Sequence, residues 1–336
     1  LGLMRELKAQ GVTQIIISHK LNEISSVADR ITIIRDGATV STLNKTDITE
    51  ERIIRDMVGR DMAHRYPERV PNIGETLMEV SKWNVWHPEQ QGRQVIHDAN
   101  FHVKRGEIVG IAGLMGAGRT ELMRSIFGQN YGSFICGSIK IRGKQVKINS
   151  VSEAIKHGIA YIPEDRKNFG LNLIDSVRKT CVSANLKAIT RGWLLDLDKE
   201  RQAAEKQREE LGIKTYSVDA CVNTLSGGNQ QKVVVAKWMF TEPDVLILDE
   251  PTRGIDVGAK YEIHRLINEL ADQGKAVIIV SSELPELLGM CDRIYTLFEG
   301  SITGVLNRSE ADQEKLMQMM INTQDAYSNT CADINA

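Results

Sequence analysis

The chain has 336 residues, of which 42% are apolar and 26% charged, and its net charge is −2. That length predicts about two domains with sizeable cores, and the balanced charge removes any electrostatic argument for binding nucleic acid or an acidic membrane surface. The strongest apolar runs, "VVVAKWMF" and "VLIL", stop well short of the ~18 residues a membrane span needs, so any membrane function requires another subunit.

The first element, "LGLMRELKAQGVTQIIISHK", begins at Leu1 without an initiator methionine. It reads as an amphipathic helix running into a strand, and the expectation is a fragment. Further on, Ile15 to Gly37 ("IIISHKLNEISSVADRITIIRDG") aligns without gaps to Ile278 to Gly300 ("IIVSSELPELLGMCDRIYTLFEG"). Nine of 23 positions are identical at an offset of about 263. The match continues upstream, "RELKAQG" against "NELADQG", and downstream, "TLNKT" against "VLNRS", as a duplicated domain requires.

The predicted organisation follows from that repeat. Residues 1–60 close a first domain, of which about 180 residues are absent. Residues 61–75, "DMAHRYPERVPNIGE", form a linker with two prolines. A second domain runs over 76–322, and the polar stretch 323–336 is a flexible tail.

In the second domain, "GEIVGIAGLMG" predicts an apolar strand turning into a glycine loop, with "RTELMRSIF" as the following helix. The stretch from about 167 to 222 lacks strand runs and is rich in helix formers, as in "DKERQAAEKQREELGI", and predicts a helical insert. "DVLILDE" and "KAVIIVSS" predict buried strands. Strands alternating with helices give an α/β domain with a mostly parallel sheet flanked by helices on both faces. The five cysteines have no C-x-x-C spacing, which predicts free thiols rather than a zinc site or disulfides.

Three strings carry chemistry. "GLMGAGRT" matches the phosphate-gripping pattern G-x-x-x-x-G-K-[ST] at Gly113, Gly118 and Thr120, with Arg119 where lysine belongs. Leu114, Met115, Gly116 and Ala117 fill the loop. Its backbone amides and the following helix start would form an anion nest, and Thr120 would offer a hydroxyl to Mg²⁺. Taken alone, the loop is equally a tight strand-to-helix turn. "VLILDE" delivers Asp249 and Glu250 at the strand end where ligands bind in such sheets. Asp249 is the expected Mg²⁺ residue and Glu250 the expected general base. "LSGGNQQK" places Ser226, Gly227 and Gly228 before a helix, a second phosphate-binding cap.

Loop, cap and acids in this order resemble the ABC ATPases. "LSGGNQQK" with "DEPTRGIDVGAK", "MVGRD" and "IVSSELPELL" resembles the tandem ATPase subunits of bacterial monosaccharide ABC importers of the xylose, arabinose, ribose and galactose types. The resemblance covers essentially the whole chain and implies a P-loop NTPase fold with ATP and Mg²⁺ as cofactors. It also implies transmembrane permease subunits, an extracytoplasmic sugar-binding protein and a place on the cytoplasmic face of the bacterial inner membrane.

In that family each ATP lies between the loop and acids of one domain and the cap of the other. By carry-over, Ser226, Gly227 and Gly228 serve the site of the missing first domain, or of a second copy of the subunit. His19 matches the switch histidine of that same site. Asp256 is counted with the nucleotide-binding residues.

The second domain's own site departs from the hydrolytic pattern at Arg119, at Ser282 in register with His19, and at Glu164, where first domains carry glutamine. Arginine's planar fork is no replacement for a compact ammonium. The resemblance therefore implies a slow or silent site. Trp83 and Trp86 fall near where such ATPases stack an aromatic on adenine, though a core or surface role is the commoner one. Three rivals stand beside this reading: an ABC ATPase without a membrane partner, a small-molecule kinase, which would not need "LSGGNQQK", and a nucleotide-binding module that does not turn over.

Overall fold

The computed structural model describes residues 1–17, 21–35, 38–49, 52–53, 56 and 66–321. The chain divides into two compact units, one of Leu1–Arg65 with Gly254–Glu262 and one of Tyr66–Arg253 with Ile263–Ala336.

The first unit contains α1 (Gly2–Ala9), α2 (Leu21–Val27) and an antiparallel hairpin of β1 (Arg30–Arg35) and β2 (Ala38–Asn44). Alternation in "RITIIR" sends Ile31 and Ile33 inward, where they pack with Leu43 and Ile53, as a half-buried strand of period two requires.

In the second unit, a six-stranded sheet is built from β5 (Ile108–Gly113), β8 (Ile159–Ile162), β11 (Val245–Asp249), β12 (Ala276–Val280), β13 (Arg293–Phe298) and β14 (Ser301–Asn307), ordered β14-β13-β5-β12-β11-β8. All neighbours are parallel except β13 and β14. Every residue of β5, β8, β11 and β12 is buried, which is why these strands read as continuous apolar runs.

A second sheet is wholly antiparallel: β3 (Thr76–Trp86), β4 (Gln94–Lys104), β6 (Ser133–Ile141) and β7 (Lys144–Val146), ordered β4-β3-β6-β7. The sequence reading did not foresee it. Its strands alternate buried with half-exposed residues, and pairing registers shift at several points in β3. Helix α4 (Val151–Lys156) precedes β8, and the insert holds α5 (Val177–Val182) and α6 (Leu197–Glu210) as expected, but also a short strand pair, β9 (Thr190–Arg191) with β10 (Leu194–Leu195). Helix α7 (Gly227–Met239) follows, and its Val233 and Ala236 pack with Val177, Cys181 and Ala204 of the insert.

The hairpins β1–β2 and β13–β14 share one register. Arg30 faces Asn44 as Arg293 faces Asn307, and the irregularities, at Ile33/Ile34 and Thr296/Leu297, fall at equivalent positions.

The expected linker is only partly a linker. Residues 61–65 lie outside the described residues, and 66–75 are bonded onto the second unit. Arg69 donates to Asp272 at 2.8 Å and Asp292 at 2.9 Å, and also to the carbonyl of Gly106. Asn268 donates to the Pro67 carbonyl at 3.1 Å, and the Gly74 amide to the Arg105 carbonyl at 2.9 Å. The guanidinium is almost fully buried, and it is two carboxylates with good geometry that make such burial tolerable. The tail 323–336 lies outside the described residues.

Candidate functional site

Four parallel strands bring their C-terminal ends to one edge of the six-stranded sheet. From β5 comes the glycine loop, from β11 Asp249 and Glu250, from β12 Ser281 and Ser282, and from β8 Pro163 and Glu164. Ligands bind at this edge in open α/β sheets because the turns and helix starts there leave backbone amides free.

The loop turns through Gly116 at φ 81° and Gly118 at φ 98°, conformations that a Cβ would strain. Space is short as well: a Cβ on Gly113 would lie 2.9 Å from the Leu297 carbonyl oxygen. The Ala117 amide donates to the Leu114 carbonyl at 3.0 Å, and the Gly300 amide to the Ala117 carbonyl at 2.9 Å. These bonds hold the loop from both sides. Met115 at its crest is 99% exposed. Gly118 then opens α3 (Arg119–Ile126), whose first amides have no intrahelical partner and can meet an anion.

Arg119 turns its guanidinium back across the sheet edge. Nη1 donates to the Ser281 carbonyl at 2.8 Å and lies 3.9 Å from Oε1 of Glu250. Glu250 itself sits at φ 47°, a region a non-glycine residue enters only when its surroundings hold it there. Its Oε2 accepts from the Ser282 hydroxyl at 3.2 Å. Burial raises the Glu250 pKa, against the Ser282 hydrogen bond and the Arg119 charge, which lower it.

Asp249 is fully buried. Its Oδ2 accepts from the Tyr161 hydroxyl at 2.8 Å. Burial raises its pKa, against the lowering effects of Tyr161 and nearby Thr120, and the Tyr161 phenol is pushed up in turn by burial and by Asp249. Oδ1 of Asp249 is buried with no hydrogen-bond partner. A free buried carboxylate oxygen beside Thr120 fits Mg²⁺, which takes one or two protein oxygens and completes its shell with phosphates and water. Accordingly, among the described residues no group of three or more His, Cys, Asp or Glu could hold a metal by itself.

Glu164 is paired with Arg253, whose carbonyl accepts from Arg166 at 2.9 Å. The negative charge expected near the phosphates is thus neutralised by a neighbour that sequence reasoning did not name. Ser226 caps α7, its hydroxyl accepting from the Asn229 amide, and it is exposed beside the buried Gly228. Asp256 belongs to the first unit, where its carboxylate accepts from the Ala259 amide at 2.9 Å and caps α8 (Val257–Asp272). His19 lies outside the described residues.

Trp83 is 4% exposed, and its indole donates to the Ser125 hydroxyl at 2.9 Å. Its role is in the core. Trp86 is half-buried at the end of β3. Sequence reasoning also missed Tyr161, Thr252, His264 and Glu286. Tyr161 had a signal, standing at the end of an apolar strand just before "PEDRK". The other three are brought together from distant parts of the chain.

Residues 96–253 match the family described as ABC transporter. The chain is 56% identical over 325 residues to the L-arabinose transport ATP-binding protein AraG of Geobacillus stearothermophilus, covering 96% of this chain and 63% of that protein. It is 50% identical to the xylose import ATP-binding protein XylG of Thermoanaerobacter pseudethanolicus, covering 94% and 63%. Against the ribose import ATP-binding protein RbsA of Bacillus subtilis it is 46% identical, covering 93% and 62%. It therefore spans somewhat less than two thirds of these relatives' length. Among solved structures, an ATP-binding cassette of an ABC transporter superposes with TM-score 0.62 at 19% identity, covering 74% of this chain and all of that one. A nucleotide-free cassette gives TM-score 0.60 at 18% identity, covering 75% and 98%. At such identities the likeness concerns the fold, which is that of the P-loop NTPases. Among the described residues no helix is long and apolar enough to cross a membrane.

Proposed function

We propose that this chain, whose residues 96–253 match the ABC transporter family and which is 56% identical to an arabinose transport ATP-binding protein, is part of an ATP-binding subunit driving monosaccharide import. Its own loop binds MgATP with little or no turnover, and its Ser226–Gly228 cap completes a second site in the absent part of the first domain. The observation that carries this reading is the Arg119–Glu250 contact. A carboxylate meant to polarise water is here held beside the arginine that replaces the loop lysine.

The full subunit would hydrolyse ATP by in-line attack of water on the γ-phosphate, a reaction driven by positioning and electrostatics. In this chain's own site, the loop amides and the start of α3 would bind the phosphates, and Thr120 with Asp249 would hold Mg²⁺. When bound, the metal would supply charge neutralisation to the phosphates. Glu250 would orient water poorly with Ser282 bonded to one of its oxygens and the Arg119 guanidinium 3.9 Å from the other. Ser282 has no imidazole to reach the γ-phosphate.

The tandem organisation, with residues 1–60 as the end of a first domain, is supported by the two hairpins of identical register. The relatives named for arabinose, xylose and ribose support a sugar as cargo. Permease subunits would dock this chain on the cytoplasmic face of the membrane, and an extracytoplasmic binding protein would deliver the sugar. No residue here is expected to read it.

The test is to mix this chain with a separately produced first domain and follow phosphate release, with and without Ser226→Arg. Turnover that appears on mixing and is lost with Ser226→Arg supports the cap assignment. Turnover indifferent to Ser226→Arg rejects it.

A further inference from the structure

Glu286, in the string "IVSSELPELL", is a buried, multiply bonded carboxylate near the sheet edge. It lies on α9 (Leu284–Met290) and is 2% exposed. Its Oε1 accepts from the Thr252 hydroxyl at 2.7 Å and from His264 Nε2 at 2.7 Å, and its Oε2 accepts from the Ser281 hydroxyl at 2.6 Å. Burial raises its pKa, but the bonds from His264, Ser281 and Thr252 outweigh burial and hold it below the usual carboxylate range. A buried carboxylate is tolerated only when its lone pairs are met in this way.

The three donors come from three segments, and two of them carry the nucleotide edge. Thr252 stands two residues after Glu250. Ser281 stands one residue before Ser282, and its carbonyl accepts from Arg119 at 2.8 Å. The third donor, His264, leads away from the site. Its ring packs against that of Tyr66, with centroids 5.3 Å apart and planes tilted by 46°. Tyr66 opens the segment by which the chain enters this unit, and its ring occupies space left by Gly289 on α9, where a Cβ would overlap it. Residues 67 and 69 are in turn bonded to α8 and to Asp292. Among the described residues, Nδ1 of His264 is buried without a hydrogen-bond partner, and the imidazole is held by Glu286 and by the face of Tyr66.

We propose that Glu286 and His264 are positioning residues that link Tyr66, at the entry of this unit, to the Ser281–Ser282 and Glu250 wall of the nucleotide site. The inference rests on the reading that this edge binds nucleotide. A displaced Tyr66 lets His264 turn, His264 loosens Glu286, and Glu286 releases Ser281 and Thr252 together. The state of the entry segment thereby sets the affinity of a loop it does not touch.

The test is a double-mutant cycle read by equilibrium binding of a fluorescent ATP analogue with Mg²⁺, with the melting midpoint measured on every variant. Tyr66→Ala is expected to weaken binding on the order of tenfold, within the range of networks that couple sites. Glu286→Gln, which turns one acceptor into a donor facing donors, is expected to do the same. The double variant should lose little beyond either single one, because both act through one path. Gly289→Ala, which displaces the Tyr66 ring, should behave as Tyr66→Ala does. If Glu286→Gln does not fold, Ser281→Ala serves in its place, since it removes one donor and keeps the carbonyl that Arg119 uses. Losses that add, or melting shifts with unchanged affinity, overturn the proposal while leaving the nucleotide reading intact. If the unaltered chain does not bind the analogue, the nucleotide reading fails and this inference falls with it.

Discussion

Arg119 Nη1 lies 3.9 Å from Glu250 Oε1, and both side chains are only 12% exposed. The arginine in the lysine's seat and the glutamate expected to activate water therefore face each other at ion-pair distance. A γ-phosphate entering the loop would compete with Glu250 and the Ser281 carbonyl for the same guanidinium. On the proposed reading, the pairing would explain how a loop that keeps its glycines, with both acids present, binds ATP without turning it over.

Removing that cation should weaken phosphate binding. Arg119→Ala is expected to lower MgATP affinity at least tenfold, since hydrogen bonds to charged groups contribute about 1.5–3 kcal/mol. Isothermal titration measures it directly. Unchanged affinity would mean that Arg119 does not face the phosphates.

Trp83 is expected to matter for stability and not for adenine. Trp83→Phe removes the indole bond to Ser125, leaves that hydroxyl one partner short and should cost about 1 kcal/mol. Denaturant unfolding reads the loss, and titration with ATP should give the affinity of the unaltered chain. A fall in affinity would return Trp83 to the adenine site.

Arg69 offers a test of the entry segment. Asp292 is nearly buried and, among the described residues, accepts from Arg69 and from the Ile108 amide at 2.8 Å. Arg69→Ala strands this carboxylate and should destabilise the second unit by about 3–5 kcal/mol, the range for breaking a buried pair from one side. Arg69→Ala with Asp292→Asn should recover part of that loss in thermal unfolding.

His102 should make the fold acid-sensitive. Burial first, then the charges of Arg293 and Lys104, hold its pKa down to about 4 from an ordinary 6.5. Arg293 Nη1 lies 3.0 Å from its Nε2 and fits a neutral ring that accepts. Between these two values the unfolded chain binds the proton and the folded chain does not, so stability falls as pH drops through that window. The melting midpoint should decline from about pH 7 to about pH 5, and His102→Gln should flatten the decline.

The strands that carry the site were legible because they are buried on both faces. "VLILD" and "AVIIV" can be nothing but core at that length. The antiparallel sheet was not legible, because β3 mixes Glu79, Lys82 and Asn84 among its inward residues and its register shifts along its length. Motif spacing pointed to Gly113–Thr120, Asp249, Glu250 and Ser226 as candidates, since phosphate chemistry constrains neighbours in sequence. It could not give Arg253 beside Glu164, or Thr252 and His264 around Glu286. Those contacts depend on how separate turns meet at the sheet edge, and each residue in isolation looks like an ordinary polar side chain. The hairpin pair was legible from both directions: the repeat at an offset of about 263 appears first as matched letters and then as matched register.

The most direct test of the central claim is phosphate release by this chain alone, with MgATP at saturating concentration and binding measured in parallel. The account predicts bound ATP and no release above background. Sustained release that disappears in Glu250→Gln would contradict it, and would make "GLMGAGRT" a working loop with arginine in place of lysine.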